Sequence, residues 1–338
     1  MKITYLFGAG ASKNCLPIVN EIPDRMETVI SILEKKEYKL SDSEYFDKLN
    51  LKVIKFEAQK NLVEDLKWLT NESRNHASID TFAKKLFVKG EIAQLKKLKA
   101  SFSVYMIIDQ ILNKPDKRYD SFYASILNRN IHEFPNNLRI LSWNYDSQFE
   151  ISFSGYTNQK SLATNRSFLN IISKYSHDAP NNSGFSLLKL NGSTNLLQDS
   201  GWRDYNYIDE LPSELLMADL ELIIRNYATL RLGQLQLFSG LSFAWERFGK
   251  LEHDIVEYAK GETSETEVLV VIGYSFPYFN REIDREVIGN MKSLQKVYFQ
   301  APDADILKER FLSIRDDIES SSLLPRFDLE QFLLPNEF

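Results

Sequence analysis

A chain of 338 residues, 43% apolar and 26% charged, has the composition of a globular protein and enough length for one large core or two smaller ones. Its formal net charge of −6 sets a field that repels polyanions, so nucleic-acid binding would need a local basic patch or a partner. The single cysteine, Cys15, excludes an intrachain disulfide and any multi-thiolate zinc site.

The first residues, MKITYLFGAGASKNC, lack the apolar core and small-residue cleavage site of a secretory leader. No stretch reaches the ~20 apolar residues of a membrane span, so a soluble cytoplasmic protein is expected. KITYLF, residues 2–7, predicts a short buried strand, GAGAS a glycine turn, and EIPDRMETVISILEKK, which follows, a helix. Residues 31–118 change character. Leu51, Ile54, Leu62, Leu66 and Leu69 recur near helical periods with no strand run between them, which predicts a helical insertion. A helix-like YASILNRNIHEF and the punctuation Pro135-Asn136-Asn137 precede a strand at LRILSW, 138–143, and another strand follows at FSLLKL, 185–190. Residues 211–260 carry helical spacing again. VLVVIGYSF, 268–276, predicts a buried strand, then come a helix over 280–291 and a last strand, KVYF, at 296–299.

Continuous apolar strands alternating with helices predict a parallel sheet covered on both faces, in which ligands sit beyond the carboxyl ends of the strands. Four strand ends are therefore the places to look. In GAGAS, Gly8 and Gly10 allow backbone to approach a pyrophosphate and Ser12 offers a hydroxyl, or the stretch is simply a tight turn. It departs from the dehydrogenase fingerprint, because Lys13 stands at the third glycine position. Asn144-Tyr145-Asp146 puts an amide beside a carboxylate, fit to hold a ribose hydroxyl, a carboxamide or a water, or else to cap the next helix. Gly273-Tyr274-Ser275 could contact phosphate or ribose, and no Gly-x-Ser-x-Gly elbow occurs. Asn191-Gly192-Ser193 ends the strand FSLLKL.

Elsewhere the signals are weaker. His76, His132, His177 and His253 show no metal-ligand spacing, and Asp80 reads as a functional acid or a helix cap. Cys15 reads as an inert, partly buried thiol. The lysines of residues 83–99 read as a solvated helix face, with a partner contact as the alternative.

Taken in this order, the four strand ends resemble the sirtuin-like NAD-consuming family over residues 4–284. GAGAS with Leu16-Pro17 and Glu21 resembles its first phosphate loop, and SWNYD, 142–146, is similar to its Thr-x-Asn-x-Asp stretch. KLNGS stands where the family has Lys-Leu-His-Gly-Ser, and IGYSF, 272–276, resembles its later Gly-x-Ser contact. Without cysteines for the deacylase zinc module, the chain is most similar to the bacterial antiphage-defence branch, as are ASIDTF, 77–82, and GYSFPYFNREID, 273–284.

The resemblance implies an α/β fold: a Rossmann-like doubly wound parallel sheet, with residues 1–30, 119–199 and 263–338 as NAD-binding core and 31–118 and 200–262 as helical insertions forming a smaller module. It implies an NAD+ glycohydrolase, releasing nicotinamide and ADP-ribose, that takes NAD as substrate, needs no metal and depletes NAD in defence. Homo-oligomerisation or a sensor or activator protein would restrain it, without a membrane. Asn144, Asp146 and Asn191 would be catalytic. Gly8, Ala9, Gly10, Ala11, Ser12, Glu21, Gly192, Ser193, Gly273, Tyr274 and Ser275 would bind the dinucleotide.

Asn191 is the departure, because an amide cannot take a proton as imidazole does. General-base catalysis typically contributes 10²–10⁴-fold. Asn191 is thus natural in a branch driven by positioning, the mark of an NAD- or ADP-ribose-binding regulatory or scaffold subunit, or an engineered trap; NAD-dependent deacylation is the least favoured activity.

Overall fold

Ten strands run through the computed structural model, which describes residues 1–40, 57–131, 133–173, 184–200, 203–233, 236–243, 245–246 and 254–338. In chain order they are β1 (Ile3–Phe7), β2 (Leu138–Ser142), β3 (Ile171–Ser173), β4 (Ser186–Lys189), β5 (Gly192–Gln198), β6 (Asp204–Asn206), β7 (Phe238–Leu241), β8 (Val268–Ile272), β9 (Lys296–Gln300) and β10 (Leu323–Arg326). His132, His177, His253, Leu51 and Ile54 lie outside the described residues.

The chain divides into two compact units. Unit 1 comprises Met1–Cys15, Pro115–Ser193 and Ser242–Phe338, and unit 2 comprises Leu16–Lys114 and Thr194–Leu241. Relative to the partition expected from sequence, residues 16–30 and 194–199 go with the helical unit, and 115–118 and 242–262 with the sheet.

Unit 1 is a Rossmann-like α/β unit built on a seven-stranded parallel sheet of order β10-β9-β8-β1-β2-β4-β3. The apolar runs are continuous because alternate residues feed two cores. Leu6, Leu141, Leu188, Leu269, Val271 and Phe299 enter one, with helices Ile255–Thr263, Arg281–Gly289 and Ala304–Leu312 packed on it. Tyr5, Phe7, Ile140, Leu187, Val270 and Tyr298 enter the other, under helices Lys117–Ile126 and Gln148–Thr157. Successive connections from central β1 go to β2 on one side, and β8 flanks it on the other, so the topological switch point lies at β1. β10 was not expected from sequence; it tolerates Pro325 because it is an edge strand, where a missing N–H costs no ladder bond.

Unit 2 is mainly helical: Ile22–Leu33, Ala58–Asn75, Ile79–Val88, Ile92–Leu112 and Met217–Arg231. Residues 100–111 of the fourth of these are buried on every side, as expected of a helix without a polar face. Its Asp109 pairs with Arg25 at 2.8 Å. The expectation of helix throughout 211–260 is corrected: after Met217–Arg231 the chain forms β7, which joins β5 and β6 in a three-stranded sheet with β5 and β6 antiparallel. Gly240 explains the strand, because a Cβ there would lie 2.4 Å from Leu196 Cβ, so the two strands close only over glycine. YASILNRNIHEF likewise continues a helix only to Ile126. Among the described residues no helix is long and apolar enough to cross a membrane.

Candidate functional site at four strand ends

The parallel register levels the strand ends at the switch point. Phe7 pairs with Ser142 and Ile272, and Ser142 with Lys189. The ladder runs one step further, from Trp143 N to Phe7 O at 2.9 Å, Leu190 N to Ser142 O at 2.9 Å and Gly8 N to Ile272 O at 2.9 Å. Gly8, Asn144, Asn191 and Gly273 therefore leave the sheet together, beyond its carboxyl edge.

The glycine turn is tied to the β8 turn, backbone to backbone. Gly10 N donates to Gly273 O at 3.0 Å, and Gly273 has φ +59°. A Cβ on Gly8 would meet Tyr274 Cα at 2.6 Å, one on Gly10 would meet Gly273 Cα at 2.8 Å, and one on Gly273 would meet Ala11 N at 2.4 Å. These three glycines are required by turn packing, whatever ligand the turns receive. No α-helix follows directly. Ala9–Ser12 is a single 3-10 turn, and the α-helix expected in EIPDRMETVISILEKK runs Ile22–Leu33 with Pro23 in its opening turn, so no α-helix N-terminus sits at the glycine turn itself.

Ser12, Asn144 and Asp146 meet in one buried network. Ser12 Oγ donates to Asp146 Oδ2 at 2.8 Å, which leaves the Tyr119 hydroxyl, also at 2.8 Å, to donate to Ser12. Asp146 Oδ1 accepts from Gln148 N at 3.1 Å, so both carboxylate oxygens are engaged. Burial raises the Asp146 pKa, opposed chiefly by the Lys189 ammonium. Asn144 Nδ2 donates to Gly8 O at 3.0 Å, fixing the amide, and its Oδ1 accepts no hydrogen bond among the described residues.

Beneath these groups Lys189, 1% exposed, pairs with the fully buried Glu150 at 2.7 Å and donates to Asp146 O at 2.5 Å. Arg118 holds the glycine turn by donating to Ala11 O at 2.9 Å while pairing with Asp116 at 2.6 Å. Glu150 and Arg118 carried no pattern in the sequence that separated them from surface charges, whereas Lys189 opens KLNGS at the end of an apolar run.

Asn191 is 4% exposed; its Nδ2 donates to Trp143 O at 3.2 Å and its carbonyl accepts from Ser242 N at 3.0 Å. Gly192 has φ +69° and opens β5, so NGS is a joint between two strands and not only the end of one. Tyr274 stacks on Trp143 at 5.6 Å and 10°, and its hydroxyl donates to Asp284 at 2.9 Å. Burial pushes the Asp284 carboxyl well above the usual carboxylate range, with the hydroxyl and the Trp143 indole pulling the other way.

Other expected site residues stand apart from this network. Ser275 is exposed and its carbonyl accepts from Arg310 at 2.7 Å. Ala9 is exposed in the turn. Glu21 belongs to unit 2, where its carboxylate accepts from Ile18 N at 3.1 Å. Asp80 is buried in the first turn of Ile79–Val88, capped by Ser78, and burial pushes it up to about 6. His76 packs on Phe82 at 4.7 Å, and Cys15 is buried with Gln148 Nε2 3.4 Å from its sulfur.

Fold and strand-end geometry together define a Rossmann-like α/β unit with amide and hydroxyl groups gathered at its switch point. No protein-family model matches the chain, and no curated protein matches its sequence.

Proposed function

We propose that the protein is an NAD+ glycohydrolase, cleaving NAD to nicotinamide and ADP-ribose, and that its cellular role is NAD depletion in defence. The observation that carries the reading is the position of Asn144. Its Nδ2 is anchored on Gly8 O, so its Oδ1 is presented at the switch point, where it can accept from a ribose hydroxyl or align a water. Cleavage of the glycosidic bond builds positive charge on the ribosyl centre, and a fixed amide oxygen and a buried acidic network favour that charge. Asn191, held on Trp143 O, orients and does not deprotonate.

The chemistry of Asn191 favours a second reading from a binding class, an NAD- or ADP-ribose-sensing subunit without turnover. Nicotinamide release from NAD separates them. Turnover that Asn144→Ala abolishes supports the hydrolase; saturable binding with no product, in both the native chain and Asn191→His, supports the sensor. Absence of both binding and release overturns the two together. Assembly into homo-oligomers, or control by an activator protein, belongs to the same proposal, and light scattering with and without NAD tests it.

A further inference from the structure

The amino edge of the seven-stranded sheet, opposite the strand ends described above, carries a cavity of about 880 Å³. It lies wholly within unit 1 and has the size of a small-molecule site. Asn136 before β2, Asn170 before β3 and Phe185 before β4 line it, together with Ile126 and Phe168, which end the helices Lys117–Ile126 and Leu162–Phe168. Helices in a parallel unit run back against the strands, so their carboxyl ends gather at this edge with partial negative charge.

The side chains of the lining carry charge of one sign. Glu133 is the one ionisable side chain among the described residues that line the cavity; its Oε1 accepts from Asn130 Nδ2 at 2.7 Å, and it forms no ion pair among the described residues. Amide oxygens and rings surround it. Asn170 Nδ2 is spent on Phe185 O at 3.0 Å, which leaves its Oδ1 as an acceptor. Phe168 and Phe338 are 41% and 39% exposed, and phenyl faces attract cations. An anion would meet no cation in this lining, and a neutral ring would gain nothing from the carboxylate. We propose that the cavity binds an organic amine, its ammonium held by Glu133 and the helix carboxyl ends and its apolar body lying against Phe168 and Phe338. The site is independent of the NAD reading.

Calorimetric titration of the full chain at neutral pH with benzylamine, which is protonated there, and with benzyl alcohol, its neutral isostere, tests it. Saturable benzylamine binding is expected, at least roughly tenfold tighter than the alcohol, and Glu133→Gln should weaken it roughly fivefold to tenfold by removing the charge-assisted contact. Phe338→Ala should weaken it about twofold to fivefold. Asp305→Asn, which neutralises an exposed carboxylate on a helix packed against the other face of the sheet, should leave it unchanged. Equal affinity for amine and alcohol, an effect of Asp305→Asn as large as that of Glu133→Gln, or the absence of saturable benzylamine binding overturns the assignment. Glu133 is exposed, so its substitution leaves the core intact and the comparison stands on a folded chain.

Discussion

Two corners of the sheet's carboxyl edge are built on different terms. In the glycine corner the turn and its supports are answered from within, Gly10 by Gly273, Ser12 by Tyr119 and Asp146, and Arg118 by Asp116 and the turn carbonyls, while Asn144 Oδ1 accepts no hydrogen bond among the described residues. In the Asn191 corner the buried hydroxyls of Ser193 and Ser242 are unanswered among the described residues. Self-satisfaction makes residue identity a demand of the fold. An unanswered buried group costs stability, and such a cost is commonly tolerated where a ligand supplies the missing partner.

Substitutions should separate the corners by size and sign. Lys189→Met leaves Glu150 charged and unpaired at 0% exposure and frees Asp146 O, so a loss of about 3–5 kcal/mol is expected in urea unfolding. Adding Glu150→Leu should recover much of it, since a buried pair replaced by apolar groups is often neutral. A single variant that unfolds like the native chain would mean that the pair is not sealed from water. Gly273→Ala follows, at about 3 kcal/mol, from the Cβ that would lie 2.4 Å from Ala11 N and from φ +59°. A loss below about 1 kcal/mol would show that the two turns can part, and would weaken the claim that packing alone demands these glycines.

The self-satisfied corner was also the more legible one. Runs such as VLVVI and ITYLF announce buried parallel strands because both faces are apolar, and the polar residues that end them fall at the switch point by topology alone. Asn144, Asp146 and Ser12 were reached that way, and the structure joins them by hydrogen bonds. Ser242 was not reachable. It follows β7, a four-residue strand whose Leu-rich surroundings share helical spacing, and only the Gly240 contact with Leu196 reveals it. β3, with three residues, and β10, with its proline, are likewise too short or too atypical to outweigh tertiary context.

A smaller effect is expected from acidity in the glycine corner. Asp284 has a folded pKa well above its ordinary 3.8, so its neutral form favours the native state. Its contribution is complete below that ordinary value and is lost as pH rises through the folded pKa, by up to about 1.4 kcal/mol per pH unit. Asp80 and Asp109, both pushed up to about 6 by burial, titrate in the same direction. They are common to both chains, so the difference between the native chain and Asp284→Asn as pH rises from the ordinary carboxylate range isolates Asp284. The native chain should lose stability relative to the variant as pH rises; parallel curves would place the carboxylate in contact with water.

The smallest expected change has the opposite sign. Ser242→Ala removes a hydroxyl that is 0% exposed and has no partner among the described residues, while its backbone N–H still serves Asn191 O. Erasing an unpaired buried polar group recovers its desolvation cost, so the variant should be more stable than the native chain by about 1 kcal/mol. Destabilisation instead would mean that an internal water already answers the hydroxyl, and the Asn191 corner would then be as self-contained as the glycine corner.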